Sequence, residues 1–405
     1  MNYEKTTIGL HCTVTSSKRF HASERTKDGV PFYCSKEIIK KVNGEKITEC
    51  DYISEDAYNR VKEEYGVPQT GDLLITTRGT YGIPYIYKEY DKFYFADGNL
   101  TWLKDFDDKL DAEYLYYWIN SYEGQKKIDA IAKGTAQKAV PIALLKEIEI
   151  VIPENPIQKK VVVILKNYDQ LIENNKKQIK LLEEAAQRLY KEWFIDLRFP
   201  GYENCKIVDG MPESWIQKKI SDLGEIITGK TPSTSKEQYY GGNIPFIKIP
   251  DMHGCVFPIT TEVTLTNEGA NTQKNKYIPK NGIMVSCIAT VGLVNIAIEL
   301  CQTNQQINSI ILNNEQDLYY VYSSMKRLKE LLEGVGSNGA TMTNVNKTKF
   351  GNIEVVYPND ELRKLYYDYC KPIFEKIYAL SRNIKKLSQV RDCLLPKLMS
   401  GEIEV

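Results

Sequence analysis

One stretch of the sequence has the residue spacing of a loop that binds nucleotide phosphates. Gly224–Thr231 reads G-E-I-I-T-G-K-T and fits the pattern G-x-x-x-x-G-K-[ST], in which backbone N–H groups and the lysine hold phosphates. Such a loop requires a strand before it and a helix after it. Ile220–Leu223 is a weak strand, and Pro232 does not suit the interior of a following helix. We therefore predict a strand and a turn here, with Lys230 near a phosphate.

No other pattern of residues indicates catalysis or a metal centre. The three histidines, His11, His21 and His253, do not stand in a metal-ligand spacing. The nine cysteines include no C-x-x-C pair and are typical of reduced cytosolic thiols. The sequence also lacks an Asn-Pro-Pro-Tyr motif of adenine methyltransferases and a glycine-rich cofactor loop after a convincing strand. We expect a chain without catalytic activity of its own.

Charge and composition restrict the function further. The 53 basic and 53 acidic residues give no net charge, whereas proteins that bind nucleic acid alone usually carry a basic excess. No apolar run approaches the roughly 20 residues that span a bilayer, and the N-terminus does not resemble a signal peptide. We expect a cytoplasmic protein in which any basic surface for DNA is local.

Two stretches carry apolar residues at the three- and four-residue steps of a helix that packs along another helix. The first is Pro156–Phe194, which Asn155 and Gln158 can start with a capping box. The second should begin at Ile373, because Pro372 breaks or kinks a helix. The predicted seam of the coiled coil consists of Ile172, Ile179, Leu182, Leu189, Ile377, Ile384, Leu387 and Leu394.

These two stretches belong to an internal duplication with an offset of 205 residues. The offset places Ile179 on Ile384, and it also places Ile148–Pro153 on Ile353–Pro358. A repeat of this length predicts two similar globular halves, each followed by a helix. The predicted segments are a first globular half at 1–152, a central helical region at 153–200, a second globular half at 201–356 and a C-terminal helical region at 357–405.

Short strand and turn patterns in both halves predict an α+β fold. Strands are expected near 72–77, 81–87 and 93–95, with a helix at 111–128. Counterparts occur at 282–287 and 318–333. The halves differ in their polar loops, where Arg78 faces Ile288 and where Lys18 and Arg19 have no clear counterparts. We favour one scaffold with two specificities over neutral drift of surface loops.

The order half, helix, half, helix has a geometric consequence if the helices pack antiparallel. A pseudo-twofold axis then relates the halves and places them at opposite ends of a rod of roughly 60 Å, at about 1.5 Å per helical residue. Duplex DNA suits such a reader, because its half-sites recur at about 34–36 Å or at multiples of that spacing.

Six loose motifs occur in order along this duplicated frame: Ile152–Lys159, Trp193–Phe194, Phe199–Gly201, Met211–Trp215, Gly229–Ser233 and Leu394–Gly401. Together they resemble the DNA-specificity subunit of type I restriction-modification systems, in which two target recognition domains alternate with two helical regions. The resemblance covers essentially the whole chain. Glu154–Gln158 departs from the run of prolines that commonly precedes the glutamine in that family, which concerns only the local helix cap.

The resemblance implies a non-catalytic subunit of an adenine methyltransferase and site-specific endonuclease that serves bacterial defence. Two methyltransferase (modification) subunits would dock on the helices, and restriction subunits would join the complex. S-adenosylmethionine, ATP and magnesium would bind to these partners and not to this chain. Each recognition domain would read a few base pairs of a split double-stranded DNA target.

Polar loop residues are the candidates for these DNA contacts. Arginine can read guanine through two hydrogen bonds and Asn or Gln can read adenine, whereas contacts to the phosphates mainly position the protein. The first half offers Lys18, Arg19, Arg25, Thr77, Arg78, Tyr81, Lys133, Gln137 and Lys138. The second half offers Lys230, Ser233, Thr234, Lys236, Thr290, Gln306, Asn308, Thr341, Thr343, Asn344, Asn346 and Lys347. The second set is richer in amides, which favours contacts with adenine.

Two other functions stay open at this stage. A bivalent coiled-coil adaptor would hold two protein partners without touching DNA, and the zero net charge agrees with it. A nucleotide-binding protein would use the loop at Gly224–Thr231. Salt-dependent binding to DNA tests the first alternative, and a nucleotide titration tests the second.

Overall fold

The computed structural model describes residues 3–134, 138–328 and 344–405. The chain forms two compact units, of which the first comprises residues 1–170 and 388–405 and the second comprises residues 171–387. Each unit includes a globular half and part of each of two long helices, so the predicted segment boundaries stay a prediction. None of the helices in the described residues combines the length and the apolar character that crossing a membrane requires.

The first unit contains small sheets and short helices. Its strands are β1 (Tyr3–Thr7), β2 (Thr13–Thr15), β3 (Val30–Tyr33), β4 (Asp51–Ile53), β5 (Leu73–Thr76), β6 (Pro84–Ile86), β7 (Tyr94–Phe95), β8 (Leu100–Lys104) and β9 (Glu149–Pro153). Its short helices are α1 (Ile8–His11), α2 (Ser35–Val42), α3 (Glu55–Glu64), α4 (Ala112–Asn120), α5 (Tyr122–Ile131) and α6 (Ile142–Lys146). A four-stranded sheet has the order β2-β8-β5-β6, a three-stranded sheet has the order β4-β3-β7, and β1 pairs with β9.

The second unit repeats this architecture. Its strands are β10 (Ile207–Val208), β11 (Met211–Pro212), β12 (Ile216–Lys219), β13 (Gly224–Thr228), β14 (Tyr240–Ile247), β15 (Val263–Leu265), β16 (Ile283–Ser286), β17 (Val294–Ile296), β18 (Gln302–Thr303), β19 (Ile307–Leu312) and β20 (Glu354–Tyr357). Its short helices are α8 (Ile220–Leu223), α9 (Ile249–Met252), α10 (Asn267–Asn271), α11 (Leu318–Lys326) and α12 (Lys347–Gly351).

The order of the strands confirms the duplication. The sheets β13-β19-β16-β17 and β15-β14-β18 and the pair β12–β20 match those of the first unit. In both three-stranded sheets the central strand has one antiparallel and one parallel neighbour. The predicted α+β fold with two similar halves is therefore confirmed.

The long helices are α7 (Asn155–Phe194) and α13 (Asp360–Ser400). In the first unit Lys160 donates to the carbonyl of Val405 at 3.3 Å, and Arg391 donates to Asp169 at 2.6 Å. The two helices therefore run antiparallel there. In the second unit the ring of Trp193, near the end of α7, lies 5.8 Å from that of Tyr366, near the start of α13.

The predicted seam residues line the packed sides of these helices. Ile172 and Ile377 are buried, and the other six are half-buried: Ile179, Leu182, Leu189, Ile384, Leu387 and Leu394. Ile179, Leu182 and Leu189 pack on the core of the second unit. Leu394 packs on the core of the first unit.

Three local predictions are wrong. Helix α13 runs through Pro372, which is exposed, because the burial of Phe374 and Ile377 on the same helix offsets the hydrogen bond that proline removes. Gln158 does not form a capping box, because its side chain donates to the carbonyls of Lys109 and Pro153. The helix predicted at 111–128 breaks at Ser121, which instead accepts the N–H of Gly124 and starts α5.

Candidate nucleic-acid interface

Several of the predicted DNA-contacting residues follow strands that end at the same edge of a four-stranded sheet. In the first unit β8 is antiparallel to both β2 and β5, so β2 and β5 end where β8 begins. Lys18 follows β2, and Arg78 follows β5. In the second unit β19 is antiparallel to β13 and β16, which places Lys230 and Thr290 at the matching edge. We call these the first and the second recognition edge.

Backbone hydrogen bonds join two loops at the first recognition edge. The N–H of Thr77 donates to the carbonyl of Asn99 at 2.8 Å, and the carbonyl of Thr77 accepts the N–H of Val140 at 2.9 Å. Gly79 has a φ of 75° and donates to the carbonyl of Lys138 at 3.4 Å. The turn that carries Arg78 is therefore held against the loop that carries Lys138.

The second recognition edge repeats the two backbone hydrogen bonds of Thr77. The N–H of Cys287 donates to the carbonyl of Gln306 at 2.8 Å, and its carbonyl accepts the N–H of Val345 at 2.8 Å. Ala289 takes the place of Gly79 with a φ of 63°, a left-handed conformation that non-glycine residues rarely adopt. Burial raises the pKa of Cys287 to about 11, which makes its thiol unreactive at neutral pH. This cysteine is therefore part of the scaffold.

Unpaired cations crowd the first recognition edge. The side chains of Arg78, Lys133 and Lys138 are exposed, and none forms an ion pair or side-chain hydrogen bond with a described residue. Lys18 is also exposed, with its ammonium 4.7 Å from the centre of the Tyr65 ring. Tyr81 is half-buried and donates to Asp129 at 2.9 Å. The free cations supply the local basic surface that the neutral chain as a whole lacks.

Other predicted residues of the first half are already engaged. Arg19 donates to Asp97 at 2.7 Å, and Arg25 donates to Asp51 at 2.6 Å, so both charges are partly compensated. Thr77 is only 4% exposed, which gives it a supporting role and corrects its prediction as a contact residue. Gln137 lies outside the described residues.

The second recognition edge carries fewer cations and more polar groups. Lys230, Thr290, Asn344 and Lys347 are exposed, and no side-chain partner is found for them within the described ranges. The amide of Gln306 is held by a hydrogen bond of 2.9 Å from Asn304. Thr341 and Thr343 lie outside the described residues.

Four further residues beside this edge are exposed, but three of them have local partners. The hydroxyls of Ser233 and Ser235 are hydrogen-bonded at 2.9 Å, and Thr234 is exposed. Lys236 donates to the hydroxyl of Tyr239 at 3.0 Å, and this bond raises the pKa of Lys236. The side chain of Asn346 accepts the N–H of Lys349 at 2.9 Å and so caps α12.

One prediction in the second half is corrected. Asn308 is 2% exposed, its side-chain oxygen accepts from the hydroxyl of Thr228 at 2.6 Å, and its amide nitrogen donates to the carbonyl of Val345 at 3.2 Å. It therefore ties β13 and β19 to the loop before α12 and cannot face a ligand.

The G-x-x-x-x-G-K-T stretch is a strand and a turn, as predicted. Residues 224–228 form β13 at the edge of its sheet, and the next helical element is a single turn at Glu237–Tyr239. A Cβ on Gly229 would lie 2.2 Å from the carbonyl oxygen of Asn304. Glycine is therefore required at this position by close packing of the backbone.

Comparison with known proteins decides the family. The family model of the type I restriction modification DNA specificity domain matches residues 2–184 and 212–388. This chain belongs to that family. Its two matches follow the two similar halves, and as a member it supplies DNA specificity and is not itself the catalytic subunit.

Relatives and solved structures agree with this assignment. The HindI specificity subunit of Haemophilus influenzae is 33% identical over 72% of this chain and 77% of its own length. The MjaIX specificity subunit of Methanocaldococcus jannaschii is 27% identical over 83% and 78% of the two chains. The crystal structure of an S subunit from Mycoplasma genitalium has a TM-score of 0.59 at 16% identity, with 98% and 96% of the chains covered, and shares the fold.

Three residues that support the recognition edges were not predicted from the sequence. Tyr94, Gln273 and Gln302 are buried, and their side chains hold the turns that follow β2 and β13. The neighbours of the two glutamines in the sequence are mostly polar, at Asn271–Lys276 and Thr303–Gln306, so no local pattern marks either glutamine as a buried amide. A buried amide needs a hydrogen-bond partner. The partner itself could not be identified without the register of the strands.

Proposed function

We propose that this chain is the DNA-specificity subunit of a type I restriction-modification complex, with one recognition edge in each unit for each half of a split target. The proposal rests on one observation: at each recognition edge, backbone hydrogen bonds join two loops in the same way. Two backbone hydrogen bonds, those of Thr77 and of Cys287, are the same at both edges, while the exposed side chains differ. A constant frame with variable side chains is what two different half-sites require.

At the first recognition edge, Arg78 is proposed to read a guanine. Its side chain is exposed and has no partner in the part of the chain that the structure describes, and its turn is held by the hydrogen bonds of Thr77 and Gly79. A guanidinium can donate two hydrogen bonds to the O6 and N7 atoms of guanine. Lys133 and Lys138 are exposed beside it and would contact phosphates.

At the second recognition edge, the amide of Asn344 is proposed to read an adenine. Asn344 is exposed and forms an isolated bridge with Ile288, the residue in the position of Arg78. An amide can form two hydrogen bonds with the N6 and N7 atoms of adenine. Thr290 is exposed in the adjoining loop and Lys347 is exposed at the start of α12, and both are suited to contacts with the DNA backbone.

The long helices are proposed as the docking surface for two modification subunits. Two are expected because the architecture is duplicated. Val163, Leu171 and Leu181 are 57%, 50% and 65% exposed on α7, which is unusual for apolar residues beside a packed seam. We further propose that S-adenosylmethionine, ATP and magnesium bind to the modification and restriction partners. The complex would act in the cytoplasm, where the DNA is.

A map of methylated adenine in the source cell, with and without this gene, tests the proposal. Loss of methylation at a split motif on deletion is expected. Identical maps would contradict the proposal in a cell whose modification genes are expressed. An adaptor without DNA binding would instead leave the purified complex with no salt-dependent affinity for a duplex.

A further inference from the structure

The register of the strands gives Lys18 a counterpart that the sequence did not reveal. Leu73 pairs with Leu103, which pairs with Val14, and in the second unit Ile283 pairs with Ile310, which pairs with Ile226. Val14 and Ile226 therefore occupy the same place in the two sheets. Since each is followed four residues later by a lysine, Lys18 and Lys230 are equivalent.

The backbone of each lysine is held by a buried polar side chain. The N–H of Lys18 donates to the hydroxyl of Tyr94 at 2.7 Å, and Tyr94 is 1% exposed. The carbonyl of Lys230 accepts from the side-chain amide of Gln273 at 2.6 Å, and the same nitrogen of Gln273 donates to Gln302 at 2.8 Å. The two glutamines are 4% and 0% exposed.

Tyr94 and Gln302, the residue that holds Gln273, occupy equivalent positions. Tyr94 pairs with Phe32 in the parallel strands of the first unit, and Gln302 pairs with Phe246 in the parallel strands of the second. The N–H of Lys230 also donates to the carbonyl of Thr303, the next residue of that strand, at 2.9 Å. Both lysine N–H groups are therefore held by the equivalent strand, through a side chain in the first unit and through the backbone in the second. The ammonium groups themselves have no acidic partner within the described residues.

We infer that Lys18 and Lys230 are a matched pair of phosphate anchors, one for each half-site, and that Tyr94 and Gln273 are their positioning residues. The inference rests on the proposed function and deepens it. An ammonium is a compact charge that binds a phosphate without reading a base, whereas Arg78 and Asn344 would carry the sequence information. A fixed backbone places the anchor at a constant distance from these readers.

The lysines are tested by the salt dependence of DNA binding. The full chain, purified with its modification subunits, is titrated with a duplex that contains the mapped motif, at several salt concentrations. Lys18→Ala and Lys230→Ala should each reduce the slope of log K against log salt by about 0.9, and the double variant by about twice that. Near 0.15 M salt this equals roughly fivefold weaker binding for each lysine.

Matched controls separate a contact from a general loss of charge. Lys5→Ala and Lys219→Ala remove one positive charge from β1 and β12, and they should leave the slope unchanged. The methylated motif should be the same for all these variants. Unchanged slopes for both anchor variants, or an altered motif, would overturn the inference, whereas absence of specific binding by the unaltered complex would overturn the proposed function.

The positioning residues are tested by substitutions that leave the lysines in place. Tyr94→Phe removes only the hydroxyl that accepts the N–H of Lys18, and Gln273→Met removes the amide that holds Lys230. Each substitution should reduce the slope of log K against log salt by less than the corresponding lysine substitution does. Tyr114→Phe is the control, because this buried hydroxyl has no partner among the described residues. A lower melting temperature with an unchanged slope would mean a structural role only.

Discussion

Arg363 donates a hydrogen bond to the carboxylate of Asp317 in the interior of the second unit, where the two side chains are 3% and 2% exposed. The hydroxyl of Tyr357 donates to the same carboxylate at 2.6 Å. The duplication places Gln158 of the first unit at the position of Arg363, and Asp111 corresponds to Asp317. There the N–H of Asp111 donates to the amide oxygen of Gln158 at 2.9 Å. The same junction is ionic in one unit and neutral in the other.

This difference predicts unequal effects of one substitution at equivalent positions. Asp317→Ala leaves the buried guanidinium without its main partner and should destabilise the second unit by about 3–5 kcal/mol. Asp111→Ala removes an N-cap, since Asp111 accepts the N–H of Tyr114 at 3.0 Å, and should cost about 1 kcal/mol. Hydrogen exchange measured by mass spectrometry assigns each loss to its unit. Equal losses would show that the ion pair contributes no more than a helix cap does.

Arg78→Ala should relax the methylated motif in one half-site only. Loss of a two-hydrogen-bond contact with guanine costs about 1–3 kcal/mol of discrimination, which is roughly 5- to 150-fold. The measurement is a map of methylated adenine in cells that carry the variant. Arg60→Ala is the control, because Arg60 is exposed on α3 and follows neither β2 nor β5. If Arg78→Ala weakened methylation of all sequences equally, Arg78 would hold a phosphate and read no base.

Asn344→Ala and Asn346→Ala should have different effects, although the two residues are close in sequence. Asn344→Ala removes an exposed amide and should change the motif in the other half-site. Asn346→Ala removes the cap of α12 and should cost about 1 kcal/mol of stability without changing the motif. Methylation mapping and thermal unfolding of both variants test the pair. A motif change with Asn346→Ala would mean that the cap also orients the reading loop.

The sequence predicted the architecture well because a duplication constrains both copies together. A stripe or strand that is weak in one half is supported by its counterpart in the other. Prediction from the sequence failed where a tertiary contact overrides a local preference. The helix continues through Pro372 because the burial of Phe374 and Ile377 outweighs the energetic cost of proline. Gln158 does not cap its helix because its side chain donates to two backbone carbonyls, those of Lys109 and Pro153.

The candidate site was predictable as a set of loops but not residue by residue. Thr77 and Asn308 are polar residues beside turns, yet burial within the scaffold removes them from the surface. The counterpart of Lys18 could not be found from the sequence, because loop lengths shift the offset between the halves along the chain. The equivalence with Lys230 follows only from the strand pairing in each sheet, which places Val14 and Ile226 at matching positions.

Glu183 is half-buried on α7 beside Cys255 and Tyr322. Removal from water raises the pKa of Glu183, and the nearby Lys326 only partly opposes this shift. A carboxyl group with a raised pKa in the folded state stabilises the fold below its unfolded pKa of about 4.3, and this contribution is lost as the pH rises through the folded value. Glu183→Gln should therefore raise the melting temperature at pH 8 and leave it unchanged near pH 4. Glu192→Gln, exposed on the same helix, gives the effect of the same change in water. An equal gain at both pH values would mean that the substitution improves packing and that the charge of Glu183 costs nothing.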